Sequence, residues 1–157
     1  MDMKECEVMH TIAQAKIEDL EEVVVLFDQY RIFYGQNSDL NNARIFISDK
    51  LEHKESVILL VKDKVEGNAV GFAQMYPSFS SISMKKMWIL NDLFVIEKYR
   101  RQGIAQSLLD EAANVARITK AKGIELSTAS DNVNAQRLYE RNGYKQDEVY
   151  YHYSLEV

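Results

Sequence analysis

The chain has 157 residues, 46% apolar and 27% charged, which is ordinary for a globular protein and enough for one buried core. A net charge of −5 lacks the basic stripe of non-specific nucleic-acid binders, and no apolar run reaches the ~20 residues that span a bilayer. The single cysteine, Cys6, rules out an internal disulfide and points to a reducing compartment, while Met1 to Ala15 lacks the layout of a signal peptide. The expectation is one cytoplasmic domain over residues 1–157, with neither a nucleic-acid nor a membrane partner. Cys6 reads as a stray terminal residue rather than a nucleophile.

A short strand is predicted over Met9 to Ala13. From Glu18, Leu20, Val23, Val24, Phe27, Tyr30 and Tyr34 follow helical spacing until Gly35. Ser38 is placed to cap a second helix with Leu40, Ala43, Ile47 and Leu51 on one face. Val57 to Val61 reads as a strand covered on both faces, Asp63 to Asn68 as a hairpin turn and Val70 to Tyr76 as the return strand. Pro77 to Ser83 reads as a loop, and Lys86 to Val95 as a third long strand. A charged turn, Glu97 to Gln102, precedes a helix over Gly103 to Ala121 with Ile104, Leu108, Ala112, Val115 and Ile118 as its buried stripe. Ile124 to Thr128 is predicted as a strand. Asn132 caps a helix that runs to Asn142 and ends at Gly143, and one or two strands are expected in Tyr144 to Val157. This order predicts a mixed α/β sheet covered by helices.

Arg100-Arg101-Gln102-Gly103-Ile104-Ala105 joins a buried strand to a helix. A helix N-terminus presents unpaired N–H groups and a partial positive charge, which suit phosphate. Gly103 lets the backbone approach closely, Ala105 is small, and Lys98, Arg100 and Arg101 add charge. Taken alone, this reads somewhat more readily as an ordinary turn with solvated arginines. Neither G-x-G-x-x-G nor G-x-x-x-x-G-K-S/T is present, which disfavours nicotinamide enzymes and P-loop nucleotidases. A second pattern follows at Asn132, Ala135, Leu138, Tyr139, Gly143 and Tyr144, with Ala135, Leu138 and Tyr139 on one helix face. A packed core tyrosine would also account for it.

Together the two motifs resemble the GNAT superfamily of N-acetyltransferases. Its coenzyme loop, R/Q-x-x-G-x-G/A, matches Arg100, Gly103 and Ala105. Its later motif, N-x-x-A-x-x-L-Y-x-x-x-G-F/Y, matches Asn132 through Tyr144. Asn91 to Val95 looks like the fourth strand of a branch that includes polyamine, D-amino-acid and histone acetyltransferases. The resemblance implies an α/β (α+β) fold: a mixed, mostly antiparallel sheet with a V-shaped splay between two parallel strands, flanked by four helices. It implies acetyl-CoA as co-substrate, no metal, a small-molecule amine acceptor, and a homodimer as an assembly common to the fold. Carried over residue by residue, the backbone of Leu93, Phe94 and Val95 pairs with the pantetheine arm. Backbone N–H groups of Arg101, Gln102, Gly103, Ile104 and Ala105 hold the pyrophosphate. Asn132 bonds the pantetheine arm, beside Ala135 on the same helix, and Tyr139 lies near the thioester sulfur.

Acetyl transfer to an amine requires a lone pair, and a lysine-like amine ionises near ~10.4, so a base or a water path is needed. A strand N–H near Leu93 or Phe94 would stabilise the oxyanion. The Tyr139 hydroxyl is the candidate acid for the thiolate. In the polyamine branch a glutamate aligns with Asn91, which cannot take a proton. Asp92 is then either a base, a water-orienting group or a structural carboxylate. Strand alternation sends Asn91 and Asp92 to opposite faces unless a bulge intervenes. His53 and His152 read more simply as a helix end and a terminal strand. Tyr30, Tyr34, Tyr76 and Asn91 are the candidate acceptor-binding residues, with Phe79 nearby, whereas packing accounts for Phe33 and Trp88. Two readings stay open beside a chance match: an enzyme, which Tyr139 favours, and a non-catalytic acyl-CoA-binding or regulatory module, for which Asn91 leaves room.

Overall fold

The computed structural model describes residues 9–157; Cys6 lies outside them. The contacts divide into two units, one reaching to Leu126 and a second running from Ser127 to Val157. The first holds a five-stranded sheet in the order β1-β2-β3-β4-β5 and three helices. With the fourth helix, in the second unit, the chain has the mixed open sheet and the four helices that the family resemblance implies. No helix among the described residues is long and apolar enough to cross a membrane.

The strand expected at the start is β1 (His10–Gln14). Helix α1 (Leu20–Phe33) buries Val23, Val24 and Leu26, and Gly35 ends it in the left-handed region at φ 84°. Helix α2 (Leu40–Glu52) is capped by Asp39, whose Oδ1 accepts from the Asn42 N–H at 3.1 Å, not by Ser38. Ser38 is engaged elsewhere. Its hydroxyl donates to Oδ2 of Asp28 at 2.7 Å, and the Asp39 N–H donates to Oδ1 at 2.7 Å. Asp28 is 4% exposed and demands donors, so the hydroxyl goes to the carboxylate.

Strands β2 (Val57–Asp63), β3 (Ala69–Ser80) and β4 (Lys85–Val95) form an antiparallel meander, and Ile58 to Val61 are buried on both faces as expected. The predicted loop at 77–83 is instead mostly strand. Pro77 pairs with Trp88, and β3 runs to Ser80 opposite Lys85. Pairing with β2 stops at Met75, so Pro77 lies where β3 has become an edge and its missing N–H removes no ladder bond.

Helix α3 (Ile104–Ile118) buries Ile104, Leu108, Leu109, Ala112 and Ala116. Val115 is only partly covered and Ile118 is 71% exposed, against the expected stripe. At 3.6 residues per turn, Ile118 falls well away from the centre of that face. Strand β5 (Ile124–Glu125) is shorter than the predicted 124–128 and pairs with β4 in parallel only at Trp88 and Ile89.

In the second unit, α4 (Val133–Arg141) begins at Asn132, as expected, and Gly143 at φ 86° follows its end. The strands expected in 144–157 do not form. The Asp147 carboxylate takes the N–H groups of Val149 and Tyr150 at 2.8 and 3.0 Å, a local turn that competes with a strand ladder.

The core of the first unit joins α1 and α2 to the sheet through Leu26, Ile47, Ile58 and Phe72, with Phe72 against Phe27, Tyr30 and Phe94. Gly71 on β3 is a tight point. A Cβ there would stand 2.9 Å from the Phe94 carbonyl oxygen and 3.5 Å from the Ile104 side chain. Because the nearer atom is backbone, Gly71→Ala should lower stability by about 1–3 kcal/mol, seen as a lower urea midpoint at unchanged slope.

Candidate active site

At the end of β4 the chain makes a short 3₁₀ turn, Glu97–Tyr99, pinned by the Tyr99 hydroxyl donating to Oδ2 of Asp63 at 3.0 Å. Arg100 does not stand free beside the loop. Its Nε donates to the Val95 carbonyl at 2.9 Å, and its guanidinium lies 5.0 Å from the Phe33 ring centre and 5.8 Å from that of Phe94. It ties the strand end to the loop, and its charge stays at that corner. Arg101 at φ 60° and Gly103 at φ 80° are both left-handed, and a residue with a Cβ resists the second of these turns only through its backbone. A Cβ on Gly103 would meet nothing within 4 Å, so the space before the helix is open.

The first α3 bond from this loop is the Ser107 N–H to the Gly103 carbonyl at 3.0 Å. Among the described residues, the N–H groups of 101–105 meet no main-chain acceptor. The first turn of α3 carries no acidic residue. Uncapped donors, the positive end of the helix dipole and an open approach make a donor set that fits a diphosphate.

Leu93, Phe94 and Val95 pair with Ala73, Phe72 and Gly71 on one side only. On the other side, β5 ends at the level of Ile89. The backbone edge from Leu90 to Val95 therefore meets no strand there among the described residues, and it leads into the loop at 100–105. An extended ligand arm laid along it would gain ladder bonds as an added strand does.

Asn91 is the bulge. Gln74 pairs with Asp92 and Met75 with Leu90, which leaves Asn91 unmatched. The extra residue brings the two side chains together, and Asn91 Nδ2 donates to Oδ1 of Asp92 at 3.0 Å. Asp92 is 3% exposed, and its Oδ2 accepts from Gln74 Nε2 at 2.7 Å. Gln74 Oε1 in turn accepts from the Ser56 hydroxyl at 2.8 Å. The Tyr30 hydroxyl lies near enough to feel the charge of the same carboxylate. Sequence reasoning missed Gln74, Ser56 and Asp28. The signal for Gln74 was available: it is a long amide at an inward position of an otherwise apolar strand.

The acceptor-side aromatics separate into two groups. Tyr30 and Tyr76 are half-buried and feel Asp92, while Tyr34, 4.9 Å from Tyr30 between ring centres, is exposed. Phe33, expected in the core, is 58% exposed beneath Arg100. Trp88 is core, with its Nε1 donating to the Thr119 hydroxyl at 2.9 Å, and Phe79 projects into solvent. His53 sits at the α2 C-terminus, 3.1 Å from Asp49, and His152 is exposed beside Asp147. No cluster of three or more His, Cys, Asp or Glu side chains placed to hold a metal occurs among the described residues.

In the second unit, Asn132 Oδ1 accepts from the Ala135 N–H at 3.2 Å, so the asparagine is a true N-cap. Gln136 Nε2 donates to the carbonyls of Ala129 and Ser130 and fixes the preceding turn. The Tyr139 ring packs edge-on against Tyr144, 5.8 Å between centres, and burial pushes the Tyr144 hydroxyl up from its ordinary value.

Comparison with known proteins places the chain that carries this strand edge and helix start in a family. The acetyltransferase (GNAT) family model matches residues 21–144. The "Uncharacterized N-acetyltransferase YhfO" of Bacillus subtilis (strain 168) is 46% identical over 93% of this chain and 97% of its own. The crystal structure of a probable acetyltransferase superposes with a TM-score of 0.90 at 44% identity, covering 94% of this chain and 97% of the other. The aminoglycoside N-acetyltransferase AAC(6')-Iy, solved in complex with CoA, shares the fold at a TM-score of 0.77 and 17% identity, over 94% and 95% of the two chains. The chain belongs to the acetyltransferase (GNAT) family and is an acyl-CoA-dependent N-acetyltransferase.

Burial first, and the Asp92 charge second, hold the Tyr30 hydroxyl far above the usual phenol range and push Tyr76 from 10.0 up to about 12. The folded chain thus keeps these protons when the unfolded chain has lost them. Their contribution to stability is complete below pH 10.0 and is lost as pH rises towards about 12. The urea midpoint should fall across that window, and Tyr76→Phe should make the fall shallower.

Proposed function

We propose that the protein moves an acetyl group from acetyl-CoA to a primary amine of a small molecule, by direct attack in a ternary complex. The observation that carries this reading is the unpaired Leu90 to Val95 edge, which ends in the donor loop at 101–105 and has Asp92 at its bulge. Both units are taken as one acetyltransferase domain, because the family match at 21–144 crosses the boundary between them.

The roles follow from the chemistry. The backbone of Leu93, Phe94 and Val95 holds the pantetheine arm. The N–H groups of Arg101, Gln102, Gly103, Ile104 and Ala105 hold the pyrophosphate, with Arg100 bracing the loop. The Asn132 amide bonds the arm as well, from the helix that carries Ala135. The ammonium gives its proton to Asp92, or to a water that Asp92 orients. The amine nitrogen then attacks the thioester carbon, a β4 N–H near Leu93 or Phe94 stabilises the oxyanion, and the carbon–sulfur bond breaks. The Tyr139 hydroxyl protonates the departing thiolate, and the second proton of the amine, released from the new amide nitrogen, restores that hydroxyl by way of solvent. No protein nucleophile is needed.

A small cationic acceptor is supported by the fixed negative charge of Asp92 among Tyr30, Tyr76 and Asn91, with Tyr34 exposed at the rim. The strand resemblance to the polyamine branch at Asn91 to Val95 points the same way.

Thiol release from acetyl-CoA across a panel of polyamines, amino acids and aminoglycosides tests the reading. Acceptor-dependent release should appear with at least one cationic amine. Coenzyme binding without turnover on the whole panel would instead leave a non-catalytic acyl-CoA module. Tyr139→Phe should lower kcat about 10²-fold while calorimetry shows unchanged acetyl-CoA affinity; wild-type turnover in that variant would remove the acid role.

A further inference from the structure

The buried chain behind Asp92 has no evident need to be polar. Gln74 is wholly buried on the central strand β3, Ser56 is 8% exposed just before β2, and Asp92 is 3% exposed on β4. A strand core of this kind is ordinarily filled by apolar side chains, since a buried polar chain gains little over well-packed hydrocarbon and is costly unless every member is satisfied. Here every link is made. The Ser56 hydroxyl donates to Gln74 Oε1 at 2.8 Å, and Gln74 Nε2 donates to Asp92 Oδ2 at 2.7 Å.

The order of donors has a consequence. A turned Gln74 amide would set its carbonyl oxygen against the Asp92 carboxylate at hydrogen-bond distance, acceptor to acceptor. The acceptor-only carboxylate favours the opposite setting, with Nε2 towards Asp92, and the Ser56 hydroxyl, which can donate or accept, donates to Oε1. The serine therefore anchors the far end of the amide, and the amide holds one carboxylate oxygen. The other oxygen receives Asn91 at 3.0 Å, and the Tyr30 hydroxyl lies within reach of the group's charge. The groups that face Asp92 are thus Tyr30 from α1, Gln74 and Tyr76 from β3, and Asn91 on its own strand; Ser56 acts one step removed.

We propose that Gln74, anchored by Ser56, is a positioning residue for amine acetylation: it fixes the rotation of the Asp92 carboxylate at the β4 bulge and never touches substrate. The inference rests on the role given to Asp92 above. A carboxylate held from behind keeps one geometry through the proton transfer, whereas without Gln74 its Oδ2 would lose the donor that meets it from β3 and the group would be free to turn about its bond to Asn91.

The test is a kinetic cycle on the full chain with an acceptor found in the panel. Gln74→Leu should lower kcat about tenfold or more, in line with the loss of a supporting hydrogen bond behind a reacting group, and leave the acetyl-CoA dissociation constant unchanged. Ser56→Ala should act in the same direction and more weakly. In an Asp92→Asn background, Gln74→Leu should cost nothing further, because the group it positions is gone. An equal loss in both backgrounds, or acetyl-CoA affinity falling in step with turnover, would mark Gln74 as structural and overturn the inference. If Gln74→Leu does not fold, Ser56→Ala is read in the same two backgrounds by the same criterion. Asp92→Asn at full turnover would sink the role of Asp92 itself; a slow Asp92→Asn beside an unaffected Gln74→Leu would sink only the positioning role.

Discussion

Asn91 has no partner on β3, and much of the functional end of the first unit follows from that one unmatched residue. Gln74 pairs with Asp92 and Met75 with Leu90, so β4 carries one residue more than β3 across this step. An inserted residue bends a strand and sharpens its twist. β5 keeps pairing with β4 only up to Ile89, just before the bulge. From there to Val95 the strand presents backbone groups rather than a ladder. The same insertion turns Asn91 and Asp92 towards each other, which regular alternation forbids.

The edge so created is electrically polar along its length. At its far end are the helix start and the donors of 101–105, with Arg100 and Arg101 beside them. At the bulge stands Asp92, buried and met by the amide donors of Gln74 and Asn91. An anion is welcome at one end and a cation at the other, with a strand's length of hydrogen-bonding backbone between. In the function we propose, a pantetheine arm lies there, with the diphosphate behind it and an amine in front. Arg100 contributes chiefly by geometry, because its Nε holds the Val95 carbonyl and its plane covers Phe33 and Phe94. Gly71 serves the same corner by letting β3 pass close to the Phe94 carbonyl.

Most elements were legible from periodicity. The two helices before β2, the buried run of β2, α3 and α4 stand where spacing placed them. The failures have local causes. Pro77 misled because a proline reads as a break, although on an edge it costs no ladder bond. Ser38 misled because a buried carboxylate, Asp28, outcompeted the helix end for its hydroxyl. The alternating aromatics after Tyr144 misled because Asp147 takes the N–H groups a strand would use.

Sequence by itself determined the helix start that follows Gly103, since the loop at 100–105 is contiguous and its character depends on backbone groups that any glycine-bearing helix start presents. It determined the cap at Asn132 for the same reason. Only the tertiary structure decided the surroundings of Asp92. They come from Gln74 on β3, from Ser56 just before β2 and from Tyr30 on α1, none of them near it in the chain. A bulge is a mismatch between two strands, and no single strand's sequence records the length of its partner.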